Sequence, residues 1–179
     1  MSRLPWLQKI LMRSSLICLG GIACAFVSNG FCADETLVPQ GQEWKYEDMG
    51  EDQGSSWRSP GYDDSSWSSG RGVLGFGDAD ISTYLYYGPD PDNKFITYYF
   101  RRSFPVTDPK RYSGLQLKII RDDGAVVYLN GKEIYRTNMR PGEVSYSTTS
   151  LARVEGNEER IWHAAQISPE GLVAGDNIL

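Results

Sequence analysis

Residues 125–135 read AVVYLNGKEIY, and the central Asn130-Gly131 is the residue pair best able to supply the positive φ angles of a two-residue hairpin turn. β-Branched and aromatic residues flank it on both sides. A chain that folds back on itself here builds antiparallel strands, so the sequence predicts a hairpin and, around it, sheet.

The remaining patterns agree. Residues 42–47 (QEWKYE) alternate, residues 95–104 (FITYYFRRSF) form a long aromatic run, and Leu115, Leu117 and Ile119 fall on one face of a period-two segment. Residues 160–167 (RIWHAAQI) read as a later strand, and Pro169 to Leu172 as a turn or single helical turn before Gly175-Asp176-Asn177. No amphipathic helix of ordinary length is legible after residue 33, which predicts an all-β sandwich. Arg101, Arg102 and Arg121 read as solvated strand positions.

The first 33 residues differ from the rest. Arg3, Lys9 and Arg13 accompany an acid-free apolar run, residues 16–27 (LICLGGIACAFV), with the charge and length of a bacterial-type signal peptide rather than a membrane span. The expected cleavage lies near Asp34, after Ala33 or after Cys32, and implies export to the periplasm or beyond with no transmembrane anchor after cleavage. A lipoprotein alternative would use Cys24, although Gly21 stands where a leucine-like residue is preferred. All three cysteines, Cys18, Cys24 and Cys32, precede the expected mature domain at 34–179, which must therefore hold together by packing alone.

The leader carries three of the 18 basic residues and none of the 23 acids, leaving 15 against 23, a formal charge of about −8, on the rest. That balance argues against a phosphate-neutralising surface and hence against nucleic acid as a partner.

Gly70, Gly72 and Gly75 spell G-x-G-x-x-G, but a dinucleotide loop needs a strand before it and a helix after it, and neither is legible here. The glycines read instead as a crossing between strands, where backbone passes close to a neighbour such as Trp67. Asp90, Asp92 and Asn93, like Asp78 and Asp80, space carboxylates as calcium loops do. Phe95 and Arg101 occupy the positions where an EF-hand needs glycine and glutamate, so loop acids in turns are the plainer reading. The only histidine, His163, sits in an expected strand as a satisfied residue, and no triad, H-E-x-x-H or G-x-S-x-G motif occurs.

Four segments carry a family resemblance. Trp57-x-x-Pro60-x-Tyr62-Asp-Asp-Ser-Ser-Trp67, then Thr97-Tyr-Tyr-Phe-Arg101 with Phe104, then Asp122-Asp-Gly-Ala-Val-Val-Tyr-Leu-Asn-Gly131, then Leu172-x-x-Gly175-x-Asn177-x-Leu179 resemble the galactose-binding-like jelly rolls. They are similar to the sugar-binding domain of β-galactosidase-type glycoside hydrolases and to accessory modules of exported bacterial multidomain proteins. The resemblance implies a jelly roll over residues 42–179. It also implies that the last core strand continues past Leu179, so that the chain is expected to be truncated or a fragment with a catalytic domain C-terminal to it. In residues 62–67, acids and serines suit a tight turn and Trp67 suits burial as an anchor.

A sugar site needs aromatic faces beside groups that fix hydroxyls, and Tyr84, Tyr86 and Tyr87 with Asp90, Asp92 and Asn93 offer both in one expected loop. Packing over the end of the sandwich is the competing role of those tyrosines. Asp122-Asp123-Gly124 reads first as a turn. It also resembles the PA14 domain, and that resemblance implies a calcium site at Asp122 and Asp123. Three function classes follow: a non-catalytic exported module that binds carbohydrate or docks on a partner domain; the N-terminal part of an exported hydrolase, a glycosidase or metallophosphoesterase; or a calcium-dependent surface adhesion module.

Overall fold

The computed structural model describes the backbone of Leu7–Ser15 and residues 35–179. The apolar run 16–27, the three cysteines and the expected cleavage region lie outside the described residues. The first strands are β1 (Leu7–Ser15), β2 (Glu35–Val38), β3 (Glu43–Glu47), β4 (Ser68–Arg71), β5 (Leu74–Gly75) and β6 (Thr83–Tyr84). They are followed by β7 (Tyr99–Arg101), β8 (Ser103–Val106), β9 (Gly114–Ile120), β10 (Ala125–Leu129), β11 (Lys132–Thr137), β12 (His163–Ile167) and β13 (Gly175–Ile178). Between them stand only short 3₁₀ turns, so the described chain is all-β. None of its helices is long and apolar enough to cross a membrane.

The largest sheet runs β12-β9-β1-β5-β6, with β2 also paired to β1; β4-β3-β7 form a second sheet, and β13-β8 and β10-β11 are paired separately. Every pairing is antiparallel except β5 with β6. β1 belongs to the stretch read from sequence as an export leader. Its backbone lies between β9 on one side and β2 and β5 on the other, in register from Lys9↔Ile120 to Ser15↔Gly114.

The alternation read in β9 has a physical result: Leu115, Leu117 and Ile119 are wholly buried, in one cluster with Val38, Phe104, Val106 and Leu129. The Asn130-Gly131 hairpin forms, with both residues at positive φ, 51° and 87°. A register shift between Val127 and Tyr128 leaves Ile134 as an extra residue opposite them, a bulge in the hairpin's second strand, so the ladder is less regular than the sequence suggests. Pro169–Gly171 is the single helical turn expected there, capped by Ser168 through its bond from the Glu170 amide.

Three expectations need correction. Residues 95–98 do not extend the strand at β7: the Phe95 amide donates to Tyr87 O at 3.1 Å and the Thr97 hydroxyl to Tyr146 O at 2.6 Å, which holds this stretch as a loop. The arginines are not solvated. Arg101 is 2 % exposed, Arg121 is also buried, and Arg102 is half-buried. Finally, the close approach at the glycine-rich crossing is to Thr83 and not to Trp67, because a Cβ on Gly70 would lie 2.4 Å from the Thr83 side chain.

Candidate functional site

Tyr84 to Tyr87 continue from β6, and their alternation decides which rings face water. Leu85 points inward and is 4 % exposed, while its neighbours Tyr84 and Tyr86 are 69 % and 44 % exposed. Two large aromatic side chains thus stand in water two positions apart, on either side of a buried anchor. Tyr87 behaves differently. Its ring packs 5.1 Å from that of Phe76 against the core, with the Lys94 ammonium 5.4 Å above its face.

The loop that follows is tied back to the same segment. Asp90 accepts from the Asp92 amide at 2.9 Å, the Asn93 amide closes a turn on Asp90 O at 3.1 Å, and Phe95 sets its edge against the Tyr86 ring at 5.7 Å. Underneath, buried Asp48 accepts from the Tyr86 amide at 2.7 Å, which fixes the backbone that carries the ring. Thus Tyr84, Tyr86, Asp90, Asp92 and Asn93 all lie in solvent-exposed positions of one short stretch, with Tyr87 packed beneath. Chemically the patch offers flat apolar faces, acceptor oxygens and an amide.

Asp122 and Asp123 sit where β9 hands over to β10. Asp123 accepts from the Val154 amide at 2.6 Å, and its carbonyl accepts from the Asn138 side chain at 3.1 Å, so this turn ties together three separate loops. Asp122 is 3 % exposed and its Oδ2 is buried with no hydrogen-bond partner. Burial, and then the neighbouring Asp123 and Glu159 carboxylates, push its pKa up to about 8, so it is a largely neutral acid at pH 7. Among the described residues no group of three or more His, Cys, Asp or Glu side chains is gathered to hold a metal ion.

His163 opens β12, as a strand residue, but its Nε2 is buried without a partner. Burial and then Arg121 hold its pKa below the usual imidazole value, which keeps the ring neutral. It is therefore a packed residue rather than a satisfied one. The glycines of the G-x-G-x-x-G stretch fall on β4 and β5 and the crossing between them, with no helix following and hence no row of amides for a phosphate.

Sequence reasoning missed a cleft. A cavity of about 110 Å³ opens between β7 and β10, lined by Trp57, Arg58, Tyr98, Phe100, Val126 and Tyr128 among others. Trp57 meets the edges of Tyr99 and Tyr128 at 5.1 and 5.8 Å, and the Arg58 guanidinium lies 4.6 Å over the Tyr128 ring. The available signal was Tyr128 itself, whose alternation with buried Val127 and Leu129 sends it to the far face of β10.

No family model, curated protein or solved structure matches this chain.

Proposed function

We propose that the chain is an exported, non-catalytic β-sandwich module of the galactose-binding-like jelly-roll class, and that its Tyr84–Tyr86 surface binds carbohydrate. The observation that carries this reading is the pair of exposed rings flanking buried Leu85. Such rings cover the apolar faces of sugars, and Asp90, Asp92 and Asn93 supply acceptors and a donor for hydroxyls beside them. Export rests on the leader-like composition of residues 1–33 and is checked by the N-terminal mass of protein recovered from a secreting host, which is expected to begin near Asp34.

A glycan array probed with the purified protein, in calcium and again in chelator, tests the binding. Saturable retention that Tyr86→Ala abolishes without unfolding the protein supports the proposal. Retention unchanged by both Tyr84→Ala and Tyr86→Ala moves the site elsewhere, and no retention by folded protein leaves docking on a partner domain as the role. A second reading, calcium-dependent adhesion through Asp122 and Asp123, is favoured by the buried, unpartnered Asp122 oxygen. It requires that binding disappear in chelator and in Asp123→Asn.

A further inference from the structure

The aromatic cleft between β7 and β10 does not end at its rim. A second cavity, of about 530 Å³, adjoins it: the two share Gly54, Arg58, Val144 and Ser145, and the second adds Asp52, Ser55 and Glu143. Together they make one site in two zones. Trp57, Tyr98, Phe100, Tyr128 and Tyr146 border the inner zone, and charged and hydroxyl groups border the outer one.

Its walls are fixed by bonds within the protein. The Trp57 carbonyl accepts from buried Arg101, and the Trp57 ring stands at 86° to that of Tyr128 and at 69° to that of Tyr99. The turn that carries Tyr146 is closed by the Thr148 amide on Ser145 O at 3.0 Å and by the Ser145 amide on the Thr148 hydroxyl at 2.9 Å. The Thr97 hydroxyl then ties Tyr146 O to the stretch leading into β7. A cavity held in this way binds without first having to order its own lining.

Size and charge narrow the occupant. An apolar cavity of ~150 Å³ takes a benzene, so the inner zone, at about 110 Å³, takes a group no larger than a single ring. Aromatic faces attract cations, and boxes of such faces are a recurrent way of holding quaternary ammonium groups. The attraction is already used here, since the Arg58 guanidinium lies 4.6 Å over the Tyr128 ring. At the rim two carboxylates, Asp52 and Glu143, outnumber that one cation, and the whole chain carries a formal charge of −5. A neutral ligand would use the rings and not the acids, and an anion would be repelled by both.

We propose that this two-zone cavity binds a quaternary ammonium head group of the choline type. The methyl groups lie among the inner rings, and the hydroxyl-bearing arm reaches out past Asp52 and Glu143. The site shares no lining residue with the Tyr84–Tyr86 surface and does not depend on what binds there.

Titration calorimetry of the full chain compares choline with neohexanol, which has the same shape with carbon in place of the charged nitrogen. Choline is expected to bind saturably and at least tenfold more tightly than the alcohol. Glu143→Gln should weaken choline severalfold and Arg58→Gln should tighten it, with the alcohol unmoved by either, because only a charged ligand senses the rim. Tyr128→Leu should weaken choline at least tenfold, and Tyr146→Leu serves as the second wall variant where the first does not fold. Co-sedimentation with phosphatidylcholine vesicles, competed by free choline, would assign the head group to a lipid, and choline binding without it to a soluble cation. Equal affinity for choline and neohexanol overturns the proposal and leaves a merely apolar cavity. So does a folded protein that shows no saturable choline binding, or binding that survives in both wall variants.

Discussion

Residues 57–67 and 84–95 are alike in composition, each mixing aromatic rings with carboxylates in a turn, yet they end in opposite environments. In both, an aspartate folds its side chain onto the amide two residues on, Asp63 to Ser65 at 3.0 Å and Asp90 to Asp92 at 2.9 Å. What separates them is a buried cation. Arg101 reaches up from β7, donates to Asp64 at 2.7 Å, to Ser59 O at 3.1 Å and to Trp57 O, and lies 5.2 Å over the Tyr62 ring. Around it Trp57, Tyr62, Trp67 and Tyr99 close into an aromatic cluster. Among the described residues the second segment has no such hub, and Tyr84 and Tyr86 are exposed. An aromatic–acid stretch thus becomes packing or display according to what the strand beneath it offers.

The largest effects should come from dismantling the hub. Trp67→Ala removes a large buried ring and is expected to cost about 3–5 kcal/mol. Arg101→Met strands Asp64 and two carbonyls and is expected to cost about 3 kcal/mol. Urea unfolding of both variants measures this, and near-wild-type midpoints would erase the contrast between the two segments.

An intermediate effect is expected at Asp122, a carboxyl that is neither hub nor display. Its folded-state pKa of about 8 lies above the ordinary 3.8. The stability contributed by its proton is therefore fully present below the ordinary value and is lost as pH rises toward and through about 8. Melting temperature should fall across that window. Asp122→Asn should flatten the fall and melt higher at pH 8 by ~2–4 °C, the shift that about 1 kcal/mol produces in a domain of this size. If calcium occupies this turn, its addition at pH 8 will restore the parent protein's melting temperature and leave the variant unmoved.

The smallest effect on stability belongs to the displayed rings. Tyr84→Ala and Tyr86→Ala should each change unfolding free energy by no more than about 0.5 kcal/mol, while glycan retention by Tyr86→Ala falls at least tenfold. A loss of stability comparable with Trp67→Ala would mean that these tyrosines are packing after all.

Much of the scaffold was legible where the determining chemistry is local. Asn130-Gly131 carries its own turn geometry, and the alternation of Leu115, Leu117 and Ile119 needs only a core to face. Arg101 was misread because a strand pattern says which way a side chain points, not what waits there; its partner Asp64 is 37 residues away in the chain. Residues 95–98 were misread because bonds to Tyr87 and Tyr146 outcompete a ladder. Tyr84 and Tyr86 were singled out by composition, but only the burial of Leu85 separates them from Tyr87. Asn177, noted as part of a motif, proves to be a wholly buried junction: its amide donates to Val173 O and Gly175 O, and its oxygen accepts from Asn130 and from the Val173 amide.

The placement of β1 bears on the order in which the molecule assembles. Its ladder with β9 joins positions separated by about a hundred residues, as in Lys9↔Ile120. A ladder of that span closes a long loop before any bond rewards it, which makes it a slow and late event in folding. The first segment to be synthesised is thus among the last to dock, and a chain that keeps residues 7–15 and one that has shed them face different folding problems with the same remaining sequence.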